Sequence, residues 1–313
     1  MFVTIKKKIA ELLTPSFLTG LIYNFGKMLS CFCLLFVFEY SAYALFLGSK
    51  LANLPSIFIK PITNKSVTSM KTSAFTGNID ESFKSFRYCM KRIYFITIPF
   101  IMFIIVFKSL TIRTIFEGFN FGRLETAAII TTLLIFTIEM PFKCCLDIIR
   151  NLFCSAKRVS AVIVTSFVCL TINIAIGIFL ASILQKHIGV LIGITISTAT
   201  QYFTLLYMLR KDYKEYYKMI NEFIIIIAKC IFSSAIAALI TWEFHNIIFD
   251  SFIIGNECML KSSIILTLLC STIYTSIYIS INKMIESQKQ IEIIKYIEEL
   301  RKISLVKIKS KIL

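Results

Sequence analysis

The sequence is poor in the residues and motifs from which catalytic and metal centres are built. It contains two histidines, and its ten cysteines form no Cys-x-x-Cys pair, so zinc and redox motifs are absent. It also contains no Gly-x-Ser-x-Gly, no phosphate-binding loop and no His-Glu-x-x-His pattern. These absences argue against an enzyme, and we expect neither a cofactor nor a metal site. The cysteines lie mostly in apolar runs, where they serve as small apolar residues.

Acidic residues are also scarce. The chain has 18 Asp and Glu against 34 Lys and Arg, which gives a formal net charge of +16. In a soluble protein such an excess would suggest a nucleic-acid partner. Here 57% of the residues are hydrophobic and the bases lie between apolar runs, which is typical of a multi-pass membrane protein. We therefore predict an all-α membrane protein that contacts anionic lipids through its bases and binds no nucleic acid.

Eight segments are apolar enough to cross a bilayer as helices. Their predicted ranges are 15–38, 41 to the low 60s, 93–107, 126–149, 159–184, 188–209, 223–242 and 259–281. The membrane domain then covers 15–282, between a short basic segment, 1–14, and a basic amphipathic tail, 283–313. Phe83–Arg87 is predicted to form a separate interfacial helix. Pro99 is predicted to kink the third span, which neighbouring helices can accommodate.

The distribution of basic residues predicts the orientation. Eight spans place both termini on one side of the membrane. With the N-terminus inside, most of the 34 bases fall on the inner side. The bases of the outer side are Lys108, Arg113, Arg123, Lys186 and Lys261. The positive-inside rule therefore favours cytoplasmic termini.

The segment Tyr43–Pro55 is apolar, yet it carries Lys50 and Asn53. A lysine at membrane depth usually faces a water-filled cavity or a partner rather than lipid. We predict that Lys50 faces a cavity that accepts an anionic ligand. The polar residues predicted to line this cavity with it are Asn24, Lys27 and Asn53. The alternative is that Lys50 snorkels to an interface or pairs with Glu39.

Three charged residues of the fourth span, Glu139, Lys143 and Asp147, are spaced four apart and share one helix face. They can form a self-neutralising ladder of ion pairs. One interpretation is that this ladder only makes a polar helix tolerable near the inner interface. The other is that this polar face takes part in transport. The residues alone leave both interpretations open.

Small residues recur where the sixth span begins, in the run Gly189-Val-Leu-Ile-Gly-Ile-Thr-Ile-Ser. Glycine, serine and threonine allow the backbones of two membrane helices to approach closely. We interpret this run as a packing surface rather than a binding site.

The stretch Ile112–Gly122, Ile-Arg-Thr-Ile-Phe-Glu-Gly-Phe-Asn-Phe-Gly, is predicted to be an outer loop. It resembles the Arg-x-Leu-Phe-Glu-x-Gly-x-Phe stretch of the MurJ/MviN lipid II flippases, in the multidrug/oligosaccharidyl-lipid/polysaccharide exporter superfamily. Further similarities follow in the family's order and spacing. They are Thr14-Pro15-Ser16, Asn24, Tyr43 through Lys50-Leu51, Leu54-Pro55-Ser56, Leu152-Phe153, Asn173 and His187-Ile-Gly189. The resemblance covers nearly the whole chain, but it matches only the seventh to fourteenth helices of the family.

The resemblance implies a transporter shaped as an inverted V, with two lobes around a cationic cavity. That cavity binds the pyrophosphate and head of lipid II, and alternating access carries the lipid from the inner to the outer leaflet. Lys50 matches a cavity arginine of the family. A lysine at this position keeps the positive charge but lacks the bidentate geometry with which arginine binds phosphate. The seventh and eighth spans would form a groove for the lipid tail. Gly177 stands where some members have a sodium-binding carboxylate, so we expect no sodium site here.

The resemblance further implies a lipid II flippase or half-flippase of the bacterial cytoplasmic membrane, acting in peptidoglycan synthesis and cell shape. The first six family helices have no counterpart in the sequence. The implied partners are therefore the lipid-linked precursor, membrane lipids, and a separate N-terminal half or a second copy of the chain. Two alternatives stay open. One is a flippase for another polyprenyl-linked oligosaccharide, and the other is a non-transporting membrane interaction protein.

Overall fold

The computed structural model describes residues 41–75, 79–116, 123–156, 158–184, 186–212, 216–253 and 259–285. Within them the chain forms α1 (Ser41–Ala52), α2 (Ser56–Phe75), α3 (Ile79–Phe116), α4 (Arg123–Ser155), α5 (Val159–Ile183), α6 (Lys186–Asp212), α7 (Tyr216–Ile253) and α8 (Met259–Ile285). The predicted first span, with Asn24 and Lys27, lies outside the described residues, as does the tail from 286 onward.

Six of these helices are long and apolar enough to cross a membrane. The ranges are Asp80–Lys108, Glu125–Ser155, Val159–Ile183, Ile188–Lys211, Glu222–Ile247 and Ile264–Lys283. They coincide with the third to eighth predicted spans, so the all-α membrane fold is confirmed for the part of the chain that the structure describes. The total of eight spans stays a prediction, because the first lies outside that part and the second is not among these six helices.

The second predicted span is not one continuous helix. Residues 53–55 form a turn that separates α1 from α2. Because proline lacks an N–H and disfavours helical geometry in the residue before it, Pro55 ends α1 and is well suited to start α2. The sequence predicted an uninterrupted helix here because overall hydropathy was given more weight than the proline, and that continuity was wrong.

The helix α3 is longer at both ends than the third predicted span. Phe83 and Phe86, predicted to lie in a separate interfacial helix, belong to α3 and are buried in the core. At the other end Ile112 is helical and buried rather than part of a loop, beyond a non-helical residue at Phe107 (φ −102°, ψ 23°). An amphipathic pattern looks the same whether its apolar face meets lipid or another helix, so the sequence did not separate these cases.

A tyrosine of α8 replaces the hydrogen bond that Pro99 removes from α3. The carbonyl of Phe95 would normally accept from the N–H four residues later, which proline lacks. The Tyr278 hydroxyl donates to that carbonyl at 3.0 Å, and the Tyr274 hydroxyl donates to the Pro99 carbonyl at 2.9 Å. Both tyrosines are buried. The proline is therefore accommodated by its neighbouring helix, and α8 is held against α3 by two directional contacts.

Glycines set the distance between α5 and α6. A Cβ added at Gly193 would lie 2.7 Å from the Cα of Gly177, which is closer than real Cβ contacts. Because neither residue has a side chain, the two backbones approach more closely than larger residues allow. The predicted packing role of the small residues in the sixth span is consistent with this contact. Gly177, where some family members carry a carboxylate, is buried in the crossing.

Candidate functional site at the break between α1 and α2

The break at residues 53–55 is stabilised by local hydrogen bonds. The backbone N–H of Asn53 donates to the carbonyls of Ser49 and Lys50, each at 3.2 Å, and closes the last turn of α1. The side-chain amide of Asn53 donates to the same Ser49 carbonyl. On the far side, the N–H groups of Phe58 and Ile59 donate to the Pro55 carbonyl. Asn53 therefore serves as the end of one helix and, through its side-chain oxygen, remains able to accept from another element.

The donor to that oxygen is Lys143 of α4, whose Nζ lies 2.8 Å from Asn53 Oδ1. The contact joins residues 90 positions apart. It is possible because α1 lies close to α4, where a Cβ at Gly48 would meet the Thr132 methyl at 2.7 Å. The ammonium also sits at the C-terminal end of α1, where the partial negative charge of the helix favours a cation by about 0.3–1 kcal/mol.

A second set of polar contacts begins one turn further along α4 and crosses the bundle. Asp147 Oδ1 lies 3.6 Å from Nη1 of Arg150. Nη2 of Arg150 donates to Gln201 Oε1 of α6 at 2.5 Å, and Gln201 Nε2 donates to Ser166 Oγ of α5 at 2.7 Å. Arg150, Gln201 and Ser166 are all buried. Three helices are thus connected by directional bonds in a region where water is scarce and each bond is correspondingly important.

Glu139, the third residue of the predicted ladder, is 2% exposed. Its Oε1 accepts a hydrogen bond of 3.0 Å from the Thr198 hydroxyl of α6. Each member of the predicted polar face has a contact with a residue outside that set: Glu139 with Thr198, Lys143 with Asn53, and Asp147 with Arg150. Two of these contacts join α4 to other parts of the bundle, so this face helps to orient α4 within it.

Lys50 lies in the last turn of α1, and its side chain is exposed. Its Nζ lies 5.4 Å from the centre of the Phe46 ring, one turn earlier in the same helix. An exposed cation–π contact of this kind is worth about 0.5–1 kcal/mol. Glu39, the alternative partner considered from the sequence, lies outside the described residues. The structure thus places the side chain of Lys50 at the edge of the break, exposed among the described residues.

Bases outnumber acids around the break. We define the break cluster as Lys50, Asn53, Lys60, Lys143, Asp147 and Arg150. Within it Asp147 is the one acid, and it lies within electrostatic reach of Lys60, Lys143 and Arg150. Bases still exceed acids when Glu139 is counted. Surplus positive charge beside low-dielectric helices attracts anions more strongly than the same charge in water.

Two members of this region were missed at the sequence level. Arg150 falls just beyond the fourth predicted span, 126–149, yet it is buried in α4, and Gln201 was not singled out. The available signal was the spacing of Asp147 and Arg150, which places an acid and a base one helical turn apart. No sequence signal pointed to Gln201, because its role depends on how α6 is rotated toward α4.

Comparisons with known proteins bear on this arrangement. A structure described as lipid II flippase MurJ in an inward closed conformation is similar, with a TM-score of 0.55 and 19% sequence identity. The match covers 91% of this chain and 56% of that chain. No curated protein sequence matches. A family model described as lipid II flippase MurJ matches residues 4–263. Since that match extends over most of the sequence, the chain belongs to the MurJ family of lipid II flippases.

Proposed function

We propose that this chain acts as one lobe of a flippase that moves a polyprenyl-diphosphate-linked peptidoglycan precursor from the inner to the outer leaflet. Its family is one of flippases, which are transporters rather than enzymes. The observation that carries the proposal is the break cluster. Exposed Lys50 stands at a helix break inside an apolar segment, next to the contact between Lys143 and Asn53. Discontinuous membrane helices of this kind form substrate sites in many transporters.

The break cluster suits a diphosphate for electrostatic reasons. A diphosphate brings at least two negative charges, and the cluster has an excess of bases over acids. Lys50 is exposed and would contact the ligand directly, whereas Lys143 is held in place by Asn53. Asn24 and Lys27, from the preceding segment, are proposed to complete the cavity. In alternating access the short turn at residues 53–55 would let α1 and α2 change their relative angle.

A complete cavity requires more than this lobe. The chain spans 56% of the length of the solved flippase that it resembles. The remaining wall is proposed to come from a separately encoded N-terminal half or from a second copy of the chain. The proposed location is the bacterial cytoplasmic membrane, with both termini in the cytoplasm.

The direct test is rescue of bacterial cells depleted of their own lipid II flippase. The chain is expressed alone and then together with a separate N-terminal half of a related flippase, with membrane levels checked by immunoblotting. Rescue only with the second half establishes a split flippase, and rescue by the chain alone indicates a second copy as the partner. Failure of both arms at good expression contradicts the proposal. The alternatives would then be a flippase for another polyprenyl-linked oligosaccharide or a non-transporting membrane interaction protein.

A further inference from the structure

A basic pocket of about 350 Å³ lies between α2 and α3. Its lining residues are Ile62, Lys65, Ser66, Ser69, Lys84, Ser85, Tyr88 and Arg92. Three of them are bases, three are serines and none is acidic. Pockets of about 300–1,000 Å³ are typical of small-molecule sites, which hold a ligand with a few well-placed polar groups.

One wall of the pocket is formed by the guanidinium of Arg92, which is stacked on a tyrosine ring. Arg92 is 3% exposed, and its guanidinium carbon lies 3.9 Å from the centre of the Tyr88 ring. Stacking of this kind covers the face of the guanidinium, while its N–H groups point outward in the plane of the group. The ring therefore fixes the orientation of a group whose planar donors match the oxygens of a phosphate.

Serine hydroxyls and lysines form the rest of the pocket. The Oγ atoms of Ser69 and Ser85 lie 2.8 Å apart, across the two helices. When one hydroxyl donates to the other, the second still has its own hydrogen to donate to an anion. Lys65 and Lys84 are exposed on opposite helices of the same pocket. The arrangement places flexible cations at the mouth and oriented donors inside.

We propose that this pocket binds a phosphate group, either the phosphodiester of an anionic phospholipid headgroup or free inorganic phosphate. Both present the same anionic oxygens to Arg92 and the serines. The pocket lies near the start of the candidate span Asp80–Lys108, so it is close to the depth at which lipid phosphates are found. It shares no residue with the break cluster. Its occupant would stabilise the packing of α2 against α3 without being the transported lipid.

The test measures binding of fluorescent phosphatidylglycerol to the purified full chain in detergent, with fluorescent phosphatidylcholine as the reference lipid. The pocket variant is Lys65→Gln with Lys84→Gln. The matched control is Lys71→Gln with Lys108→Gln, which removes two exposed lysines of the same helices that do not line the pocket. All four lysines are exposed, so both variants are expected to fold, which size-exclusion chromatography checks.

We expect the pocket variant to bind phosphatidylglycerol about tenfold more weakly than the control variant, because each lysine near an anionic headgroup contributes several-fold to binding. If millimolar inorganic phosphate does not compete, the ligand is the lipid headgroup. If inorganic phosphate displaces the lipid and raises the thermal stability of the wild type but not of the pocket variant, the ligand is free phosphate. Equal losses in the two variants would overturn the proposal, as would equal binding of both lipids to the wild type together with no effect of inorganic phosphate on its thermal stability.

Discussion

The ammonium of Lys143 donates a 2.8 Å hydrogen bond to the side-chain oxygen of Asn53, and so ties α4 to the point where α1 ends. The ammonium gains a hydrogen-bond acceptor, and it also interacts favourably with the partial negative charge at the C-terminal end of α1. The same contact also fixes the position of the end of α1, next to exposed Lys50.

Loss of this contact is expected to destabilise the fold. Asn53→Ala and Lys143→Met should each lower the stability of the protein in detergent toward denaturant. Because Lys143 has other contacts, a double-mutant cycle is needed to isolate the pair. We expect a coupling energy of about 1–2 kcal/mol, since the bond involves a charged donor in a partly buried position. Strictly additive effects would show that the contact contributes no stability.

Lys50→Ala is expected to abolish flippase activity in the rescue assay while the protein still inserts and folds. The side chain is exposed, and its contact with Phe46 lies within its own helix, so little stability depends on it. Lys50→Arg should retain activity, because the charge is preserved. Lys71→Ala is the control, as it removes an exposed lysine of α2 that lies outside the break cluster. Full activity of a stable Lys50→Ala protein would exclude a role for this charge in transport.

Gly193→Leu is expected to separate α5 from α6. Because a single added Cβ already comes within 2.7 Å of Gly177, the larger side chain forces the backbones apart. Overpacking of this kind costs about 1–3 kcal/mol, and thermal unfolding in detergent should show a lower Tm. Val164→Leu, at an exposed position of α5, is the matched control and should change Tm little. Equal Tm values for the two variants would mean that the crossing tolerates a larger separation.

Tyr278→Phe is expected to lower stability by about 1–2 kcal/mol, because it leaves the buried Phe95 carbonyl without its donor. Adding Pro99→Ala should recover part of this loss, since alanine supplies the N–H that proline lacks. Tyr207→Phe, at a position that is 68% exposed, serves as the control. If Pro99→Ala gives no recovery in the Tyr278→Phe protein, the tyrosine does not substitute for the missing helical bond.

Cysteine labelling tests the orientation predicted from the basic residues. In a background without reactive native cysteines, Asn120→Cys should react with a membrane-impermeant maleimide added outside intact cells, and Asn78→Cys should not. Both positions lie outside the described residues, so the prediction depends on the charge distribution alone. Reactions with the opposite pattern would place the termini outside.

The sequence by itself determined the membrane class and the approximate positions of six spans. Hydropathy and length are local properties that any helix must satisfy to cross a bilayer, whatever it packs against. The small residues around Gly193 were also interpretable, because close approach of membrane helices depends on their size. The order and spacing of short motifs indicated the family that the family model then established.

Only the tertiary structure decided which partners the charged residues have. Lys143 contacts Asn53 rather than only its neighbours on α4, and Arg150 is buried against Gln201 rather than exposed in a loop. Such contacts depend on the rotation and depth of whole helices, which hydropathy does not specify. The turn at residues 53–55 and the basic pocket around Arg92 likewise depend on how α1, α2 and α3 pack, because a proline or a lysine acquires its role from the surface it faces.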